Sequence, residues 1–302
     1  MRLGLVVALP QEARALARVM SGARREEKPG RPGTGPALRA PAPCPLHLLT
    51  GALAGQTVVM AWAGAGAGCA AGAAGALLQR GADALLAVGF AGALSPALRP
   101  GDLLAATEVI DPEGGRWPAD AEWLAALGDG SGVNDRCLME AAASITIMIK
   151  IKIESRRTLP APNRNRNLNR ERATIHRPLH LGKLVTAPRV VAAAREKRRL
   201  GEQTGALAVD MESAAVAQCA AAAGVPMMAL RAITDSADEN LSLDFELCFD
   251  PDGQFHPTRL IGLLARRPLA VGGCMRLGRH SARAGQALAS FLAWYLPRVH
   301  QR

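Results

Sequence analysis

GALAVDMESAAVAQCAAAAGVPMMALRAITDSADEN, residues 205–240, begins with a short apolar run of the kind that forms a buried strand. The alanine-rich segment after it predicts a helix that starts near Asp210 and ends before Gly224 and Pro226. A second apolar run, residues 227–233, predicts another buried strand. The pattern is strand–helix–strand, for which we expect two parallel strands joined by a right-handed crossover.

Both predicted strands lead into acidic residues. Glu212 follows the first strand and Asp235 follows the second. Ligands of open α/β sheets bind beyond the carboxyl ends of the strands, so we expect these two carboxylates to converge on one pocket. Each residue also has a purely structural interpretation. Glu212 could sit near a helix N-terminus, where negative charge is favourable, and Asp235 could cap a loop.

The pattern AVDMESAAVA…GVP…LRAITDSAD resembles the signature of the purine nucleoside phosphorylase and methylthioadenosine/S-adenosylhomocysteine nucleosidase superfamily. The resemblance implies one α/β domain over residues 1–302, with three layers and a central, mostly parallel but mixed sheet between helices. It implies that Glu212 binds the ribose hydroxyls, with Met211 beside it, and that Asp235 protonates the purine. It also implies that Glu12, at the end of the first apolar strand, activates the attacking water. A first-turn glutamate that favours the helix dipole is the alternative interpretation of Glu12.

A glycine-rich loop, Gly64-Ala65-Gly66-Ala67-Gly68, follows a predicted strand and opens a predicted helix. Backbone amides at a helix N-terminus can bind an anion, so Gly64 and Gly66 are candidate phosphate-binding residues. Close packing of the strand against the helix is the structural alternative. The same loop loosely matches a dinucleotide-binding fingerprint, which keeps an oxidoreductase open as another class of function.

Two further segments complete the substrate site that the resemblance implies. Gly89-Phe90-Ala91-Gly92 stands where the superfamily has GSAGG or GSCGA, which implies that Gly89, Phe90 and Gly92 lie against the base and the sugar. Phe90 replaces the small polar residue that is usual there. Val190 and Val191 fall where the superfamily holds adenine with its main chain and an apolar side chain.

The composition indicates a globular protein, with 49% hydrophobic residues in a chain of 302. Its six cysteines form no CxxC pair and no metal-ligand spacing, so we expect reduced thiols in a cytoplasmic protein. The first apolar run, residues 3–9, is too short for a signal peptide. A second uncharged stretch, residues 57–78, is rich in Gly and Ala and predicts a strand and a helix better than a membrane span. No metal or cofactor is expected, and phosphate is the candidate co-substrate.

The net charge of +10 is unevenly distributed. Residues 135–178 alone contribute +6, and they contain an isoleucine-rich run and the segment NRNRNLNRER. We expect residues 135–178 to be an atypical, disordered insertion in the domain. Aromatic residues that would stack on bases are absent from this segment, so we do not expect nucleic acid to be a partner.

The last part of the chain, residues 244–302, predicts a basic helical extension. Within it, residues 281–295 predict a helix with Ala284, Leu288, Phe291 and Leu292 on one face. The extension resembles that of phosphorylases encoded with hopanoid-lipid biosynthesis, which implies a lipid-tailed substrate. The helix could pack on its own domain, or it could make peripheral contact with a membrane.

The sequence therefore predicts cleavage of the N-glycosidic bond of an adenine nucleoside, in which an acid protonates the leaving base. The preferred version is phosphorolytic release of adenine from an adenosyl-lipid resembling adenosylhopane. A hydrolytic methylthioadenosine/S-adenosylhomocysteine nucleosidase is the alternative within the class. A dinucleotide-dependent oxidoreductase and an inactive binding protein are the alternatives outside it. The resemblance also implies a homo-oligomer.

Overall fold

The computed structural model describes residues 1–26, 44–127, 178–250 and 253–299. The strands are β1 (Leu3–Val7), β2 (Ser21–Arg25), β3 (His47–Leu53), β4 (Gln56–Trp62), β5 (Ala84–Ala93), β6 (Leu103–Ile110), β7 (Arg116–Pro118), β8 (Leu179–Thr186), β9 (Ala208–Asp210) and β10 (Met227–Asp235). The helices are α1 (Pro10–Ala17), α2 (Ala67–Gln79), α3 (Ala121–Ala125), α4 (Ala194–Thr204), α5 (Ser213–Ala223), α6 (Pro257–Arg266) and α7 (Val271–Val299). Two 3₁₀ turns cover Phe245–Cys248 and Pro268–Ala270.

The described strands form one mixed sheet. Its centre, in the order β4, β1, β5 and β10, is parallel, whereas β3 and β2 extend one side as antiparallel strands. On the other side β10 pairs with β6, β6 pairs with β8, and β8 pairs with β9. β9 then pairs with β5, which also pairs with β10. Five strands, β5, β10, β6, β8 and β9, therefore close into a ring. The predicted mixed α/β fold is confirmed.

Helices cover both faces of the sheet, as the alternation of side chains along the strands requires. On β5, Leu85 and Ala87 face a core built with α2 and α5, whereas Leu86 and Val88 face a core built with α1 and α7. The first core is mostly alanine, so α2 and α5 can approach the sheet and each other closely. The second core contains the large side chains of α7, including the fully buried Tyr295.

The strand–helix–strand prediction is right in its elements and wrong in its pairing. β9, α5 and β10 occur where residues 205–240 predicted them, but β9 is antiparallel to β5 and β10 is parallel to it. The two strands are therefore not a parallel pair. The reason is the length of β5, whose last residues, Gly92 and Ala93, pair with β9 and close the ring.

One prediction about the cysteines needs correction. Cys44 and Cys69 were expected to be reduced, but they form a disulfide. Cys219, Cys248 and Cys274 are free thiols, as expected. The predicted insertion covers residues 135–178, and residues 135–177 of it lie outside the described part of the chain.

The C-terminal helix packs on its own domain. All nine buried residues of α7 lie between Ala284 and Leu296, and they include the four that the sequence placed on one face. Of the two alternatives for the predicted helix over residues 281–295, the structure therefore shows packing on the domain. Among the described helices, none has the length and apolarity that crossing a bilayer requires.

Candidate active site

A cavity of about 720 Å³ lies beyond the carboxyl ends of β1, β5, β9 and β10. Eight of the predicted site residues line it: Glu12, Phe90, Gly92, Val190, Val191, Met211, Glu212 and Asp235. The remaining three, Gly64, Gly66 and Gly89, are not among the residues that line it. The convergence of the carboxylates that was expected from the ends of the strands is therefore present, and Glu12 joins them from α1.

Glu12 is held by the backbone of two strand ends. The N–H groups of Ala8 and Leu9 donate to Oε2 at 3.1 and 2.8 Å, and the N–H of Phe90 donates to Oε1 at 2.8 Å. The side chain is 3% exposed, and this burial raises the pKa of Glu12, while the three amides and Arg231 oppose the rise. A carboxylate with a raised pKa in a fixed position is suited to act as a general base.

Arg231 and Asp210 form a buried ion pair that the sequence analysis did not assign. Arg231 also donates to the Ser213 hydroxyl, and Thr186 donates to Asp210 Oδ1 at 2.8 Å. A Cβ atom at Gly89 would lie 2.3 Å from Arg231 Nη1 and 2.9 Å from Glu12 Oε1. Gly89 is therefore needed for the close approach of these side chains rather than for contact with the cavity. An arginine in the middle of an apolar strand was the signal, because a buried charge requires a partner.

Glu212 lies where β9 ends and α5 begins. The N–H of Gly66 donates to Oε1 at 2.9 Å, and the N–H of Met211 contacts Oε2 at 3.3 Å. Burial and the neighbouring Asp210 carboxylate raise the pKa of Glu212 to about 7. The carboxylate can therefore accept hydrogen bonds from hydroxyl groups near neutral pH while it remains close to protonation.

The glycine loop differs from the expected phosphate cradle. The N–H of Gly64 donates to Ala8 O at 3.2 Å, that of Ala65 donates to Gly253 O at 2.9 Å, and that of Gly66 is used by Glu212. Gln254 also donates to Ala63 O at 2.6 Å. A phosphate at Gly64 and Gly66 would have to displace these protein acceptors. Phosphate binding by the two glycines stays a prediction, and the loop in this form serves to hold Glu212.

Asp235 has a lysine as its partner. Lys197 on α4 is fully buried, and its Nζ donates to Asp235 Oδ2 at 2.5 Å. The same ammonium donates to the carbonyl oxygens of Ser236 and Glu239 at 3.0 and 2.9 Å, and Thr234 donates to Asp235 Oδ1 at 2.8 Å. The sequence analysis did not assign Lys197 to the site.

The rest of the cavity wall combines apolar side chains with polar ones, which include three arginines. Val190 and Val191 line one side, although the N–H of Val190 already donates to Glu246 at 3.1 Å. Large aromatic and aliphatic side chains from the C-terminal third of the chain also line the cavity, namely Leu241, Phe245, Phe249, Phe255, Leu260 and Leu277. We call the lining formed by these six residues the apolar end of the cavity.

The raised pKa of Glu212 has a consequence for stability that can be measured. Between the ordinary value of 4.5 and about 7, the folded state keeps a proton that the unfolded chain has released. Stability therefore falls as pH rises through this range. Glu212→Gln should reduce the loss of unfolding free energy between about pH 5 and about pH 8 by on the order of 3 kcal/mol, because one pKa unit is worth about 1.4 kcal/mol. Urea unfolding at the two pH values measures the change.

Glu202→Gln is the matched control for this measurement, because Glu202 is an exposed glutamate on α4. The control should keep the pH dependence of the parent protein. If Glu212→Gln and Glu202→Gln gave the same pH dependence, the proton held by Glu212 would be ruled out as its cause.

Comparisons with known proteins agree with this geometry. The family model described as the phosphorylase superfamily matches residues 2–256. Curated relatives named 5'-methylthioadenosine/S-adenosylhomocysteine nucleosidase, from Mycobacterium bovis and Mycobacterium tuberculosis, are 33% identical over 67 residues. That alignment covers 22% of this chain and 26% of each relative, about a quarter of their length.

Solved structures resemble the whole chain. The S. pneumoniae nucleosidase of the same name, with the transition-state inhibitor MT-ImmA, has a TM-score of 0.60 at 18% identity and covers 98% of both chains. The Neisseria meningitidis nucleosidase has a TM-score of 0.61 at 19% identity, again over 98% of both chains. The futalosine hydrolase of Helicobacter pylori has a TM-score of 0.60 at 18% identity and covers 98% of this chain and 97% of its own. At such identities the likeness shows the fold.

Proposed function

This chain belongs to the phosphorylase superfamily, whose enzymes act on N-glycosyl bonds, and we propose that it releases adenine from an adenine nucleoside. The observation that carries the proposal is the convergence of Glu12, Glu212 and Asp235 on one cavity that large apolar side chains also line. Membership of this superfamily overturns the oxidoreductase interpretation of the glycine loop.

Each of the three carboxylates has a different role in the reaction. Cleavage of the bond between base and sugar develops positive charge on the sugar and negative charge on the base. Asp235 relays a proton to the departing base from the Lys197 ammonium, whose Nζ donates to Oδ2, so that the base leaves neutral and Lys197 is left as a neutral amine. Glu212 accepts hydrogen bonds from the ribose hydroxyls and fixes the sugar while its charge develops.

The geometry favours water as the acceptor of the sugar. Glu12 is fixed by three backbone N–H groups, and its raised pKa suits removal of a proton from water. In the same structure the N–H groups of Gly64, Ala65 and Gly66 have protein acceptors. Hydrolysis therefore needs no rearrangement of the glycine loop.

Phosphorolysis is the second candidate, and one observation favours it. Arg14, Arg18 and Arg189 also line the cavity, and guanidinium groups are good ligands for phosphate. Phosphate held there could reach the sugar without the glycine amides. The resemblance of the C-terminal extension to hopanoid-associated phosphorylases supports the same acceptor.

We infer that the substrate carries a large apolar group on the sugar, as an adenosylhopane-like lipid does. The aromatic and aliphatic wall formed by Phe245, Phe249, Phe255 and Leu260 supports this choice over a small 5' group. A cavity of about 720 Å³ lies in the upper part of the range of about 300–1,000 Å³ that is usual for ligand pockets. As the resemblance implies, the proposal includes a cytoplasmic homo-oligomer.

Release of adenine from methylthioadenosine and from an adenosyl-lipid mimic, each with and without phosphate, tests the proposal. We expect the lipid mimic to have the higher kcat/KM, and release without phosphate identifies hydrolysis. Release that requires phosphate and yields a sugar phosphate identifies phosphorolysis. If folded protein releases adenine from neither compound under either condition, the proposed function is wrong.

A further inference from the structure

An exposed apolar surface lies at the start of α7 and on the elements before it. The described part of the chain exposes seven large hydrophobic side chains, and four of them lie within fifteen residues of sequence: Ile261 on α6, Leu269 in the 3₁₀ turn, and Val271 and Met275 on α7. Leu269 is 99% exposed and Ile261 is 66% exposed. We call these four residues the docking surface. Such a concentration of exposed apolar side chains marks an interaction site.

The element that carries Ile261 has no buried residue. α6 begins directly after residue 256, where the match to the family model ends. It contacts the 3₁₀ turn over Pro268–Ala270, which in turn contacts α7. On α7, Val271 and Met275 are one helical turn apart and therefore share a face. The docking surface thus consists of consecutive elements that pack on one another and expose their apolar side chains.

The charge around the docking surface has a single sign. Residues 253–299 contain seven arginines and no aspartate or glutamate. Arg276 pairs with Glu239, whereas Arg266, Arg267, Arg279 and Arg283 are exposed and have no ion pair among the described residues. Arg266 and Arg267 come directly before the turn that carries Leu269. The partner of this surface must therefore accept apolar side chains and supply negative charge.

Two other occupants fit this charge poorly. A second copy of the chain would bring the same arginines to the contact. Residues 128–177 of this chain contain ten basic and five acidic residues, so they are also net positive. Like charges that face one another oppose both contacts.

We propose that the docking surface binds an anionic lipid bilayer, with Leu269 and its apolar neighbours inserted among the acyl chains and the arginines on the headgroup phosphates. Basic surfaces with exposed apolar side chains bind membranes in this way, and each basic residue near an anionic surface adds about 1 kcal/mol. Guanidinium groups match phosphate with paired hydrogen bonds.

The same helices separate the docking surface from the cavity. Leu260, the residue before Ile261, lines the cavity, and so do Cys274 and Leu277 on either side of Met275 and Arg276. The apolar end of the cavity and the bilayer would therefore share α6 and the first turns of α7 as a wall. The inference goes beyond the reaction, because binding to a bilayer requires neither turnover nor substrate.

Flotation of the full chain with lipid vesicles tests the inference. We expect binding to vesicles of equal parts phosphatidylcholine and phosphatidylglycerol, and much weaker binding to phosphatidylcholine alone. Arg266→Glu/Arg267→Glu should weaken binding to the anionic vesicles by about tenfold or more, because it reverses two charges at the contact and so lowers the net charge by four units. Leu269→Ser should weaken this binding several-fold at unchanged charge, since it removes apolar area that the bound protein would bury in the bilayer.

Arg198→Glu/Arg199→Glu is the matched control. These adjacent arginines on α4 are exposed, and the control changes the net charge by the same amount. It should retain most of the binding. Equal losses in the two double variants would show that only the total charge matters, and would overturn the inference. Absence of vesicle binding by the parent protein would overturn it too, as would a change of oligomeric state in Leu269→Ser without any effect on vesicles. Thermal unfolding of each variant confirms that it is folded.

Discussion

Asp235→Asn is expected to reduce adenine release by about a hundredfold to ten-thousandfold, the contribution that a positioned general acid makes. Asparagine keeps the shape of the side chain but cannot deliver a proton to the departing base. The loss should appear in kcat, because the change acts on the step in which the base leaves.

The same substitution is expected to destabilise the protein strongly. Lys197 is fully buried, and Asp235 is its carboxylate partner. Without that carboxylate the ammonium remains buried with the carbonyl oxygens of Ser236 and Glu239 as its acceptors. Removal of one member of a buried ion pair costs about 3–5 kcal/mol, so urea unfolding should show a loss of that size.

A double variant separates the two effects. Lys197→Met/Asp235→Asn replaces the pair with neutral groups of similar volume, and it should recover most of the lost stability because no unpaired charge remains. It should not recover activity. Full activity in Asp235→Asn would exclude Asp235 as the acid. If the double variant were as unstable as Asp235→Asn, the unpaired ammonium would not explain the instability.

Glu12→Gln is expected to reduce adenine release in the absence of phosphate by about a hundredfold to ten-thousandfold. The amide oxygen can still accept hydrogen bonds from Ala8 and Leu9 at the position of Oε2, but the amide cannot take a proton from water. Initial rates without phosphate measure the effect.

The rate with phosphate provides the matched comparison for Glu12→Gln. If phosphate attacks the sugar directly, the phosphate-dependent rate should remain while the water-dependent rate disappears. Glu12→Asp keeps the carboxylate but displaces it by one methylene, and it should retain part of the water-dependent rate. Unchanged release in Glu12→Gln would exclude Glu12 as the base.

The carboxylates of the site could be predicted because their positions follow from local patterns. Glu212 and Asp235 stand after apolar runs that predict strands, and side chains after neighbouring strands meet at one edge of a sheet. Glu12 was assigned through the resemblance to the superfamily. The pairing of β9 could not be predicted in this way. A strand of three residues carries too short a pattern to show which partner it pairs with, or in which direction.

The groups that hold these carboxylates depend on contacts between distant parts of the chain. Lys197 lies 38 residues before Asp235, within AREKRRLGEQT, where a lysine ordinarily indicates an exposed helix face. The Gly66 amide that binds Glu212 is 146 residues away from it in sequence. The disulfide partners Cys44 and Cys69 show no diagnostic spacing. Only the three-dimensional fold brings these groups together.

The closed ring of strands determines how firmly the site is held. Four of its five strands supply a group to the cavity or its supports: the Phe90 amide from β5, Thr186 from β8, Asp210 from β9 and Asp235 from β10. None of these strands can move outward alone, because each would have to break hydrogen bonds with a neighbour on either side. The site should therefore open only together with the most stable part of the sheet, so that its amides exchange hydrogen as slowly as the core does. The enzyme then reaches the transition state with little reorganisation of its own polar groups.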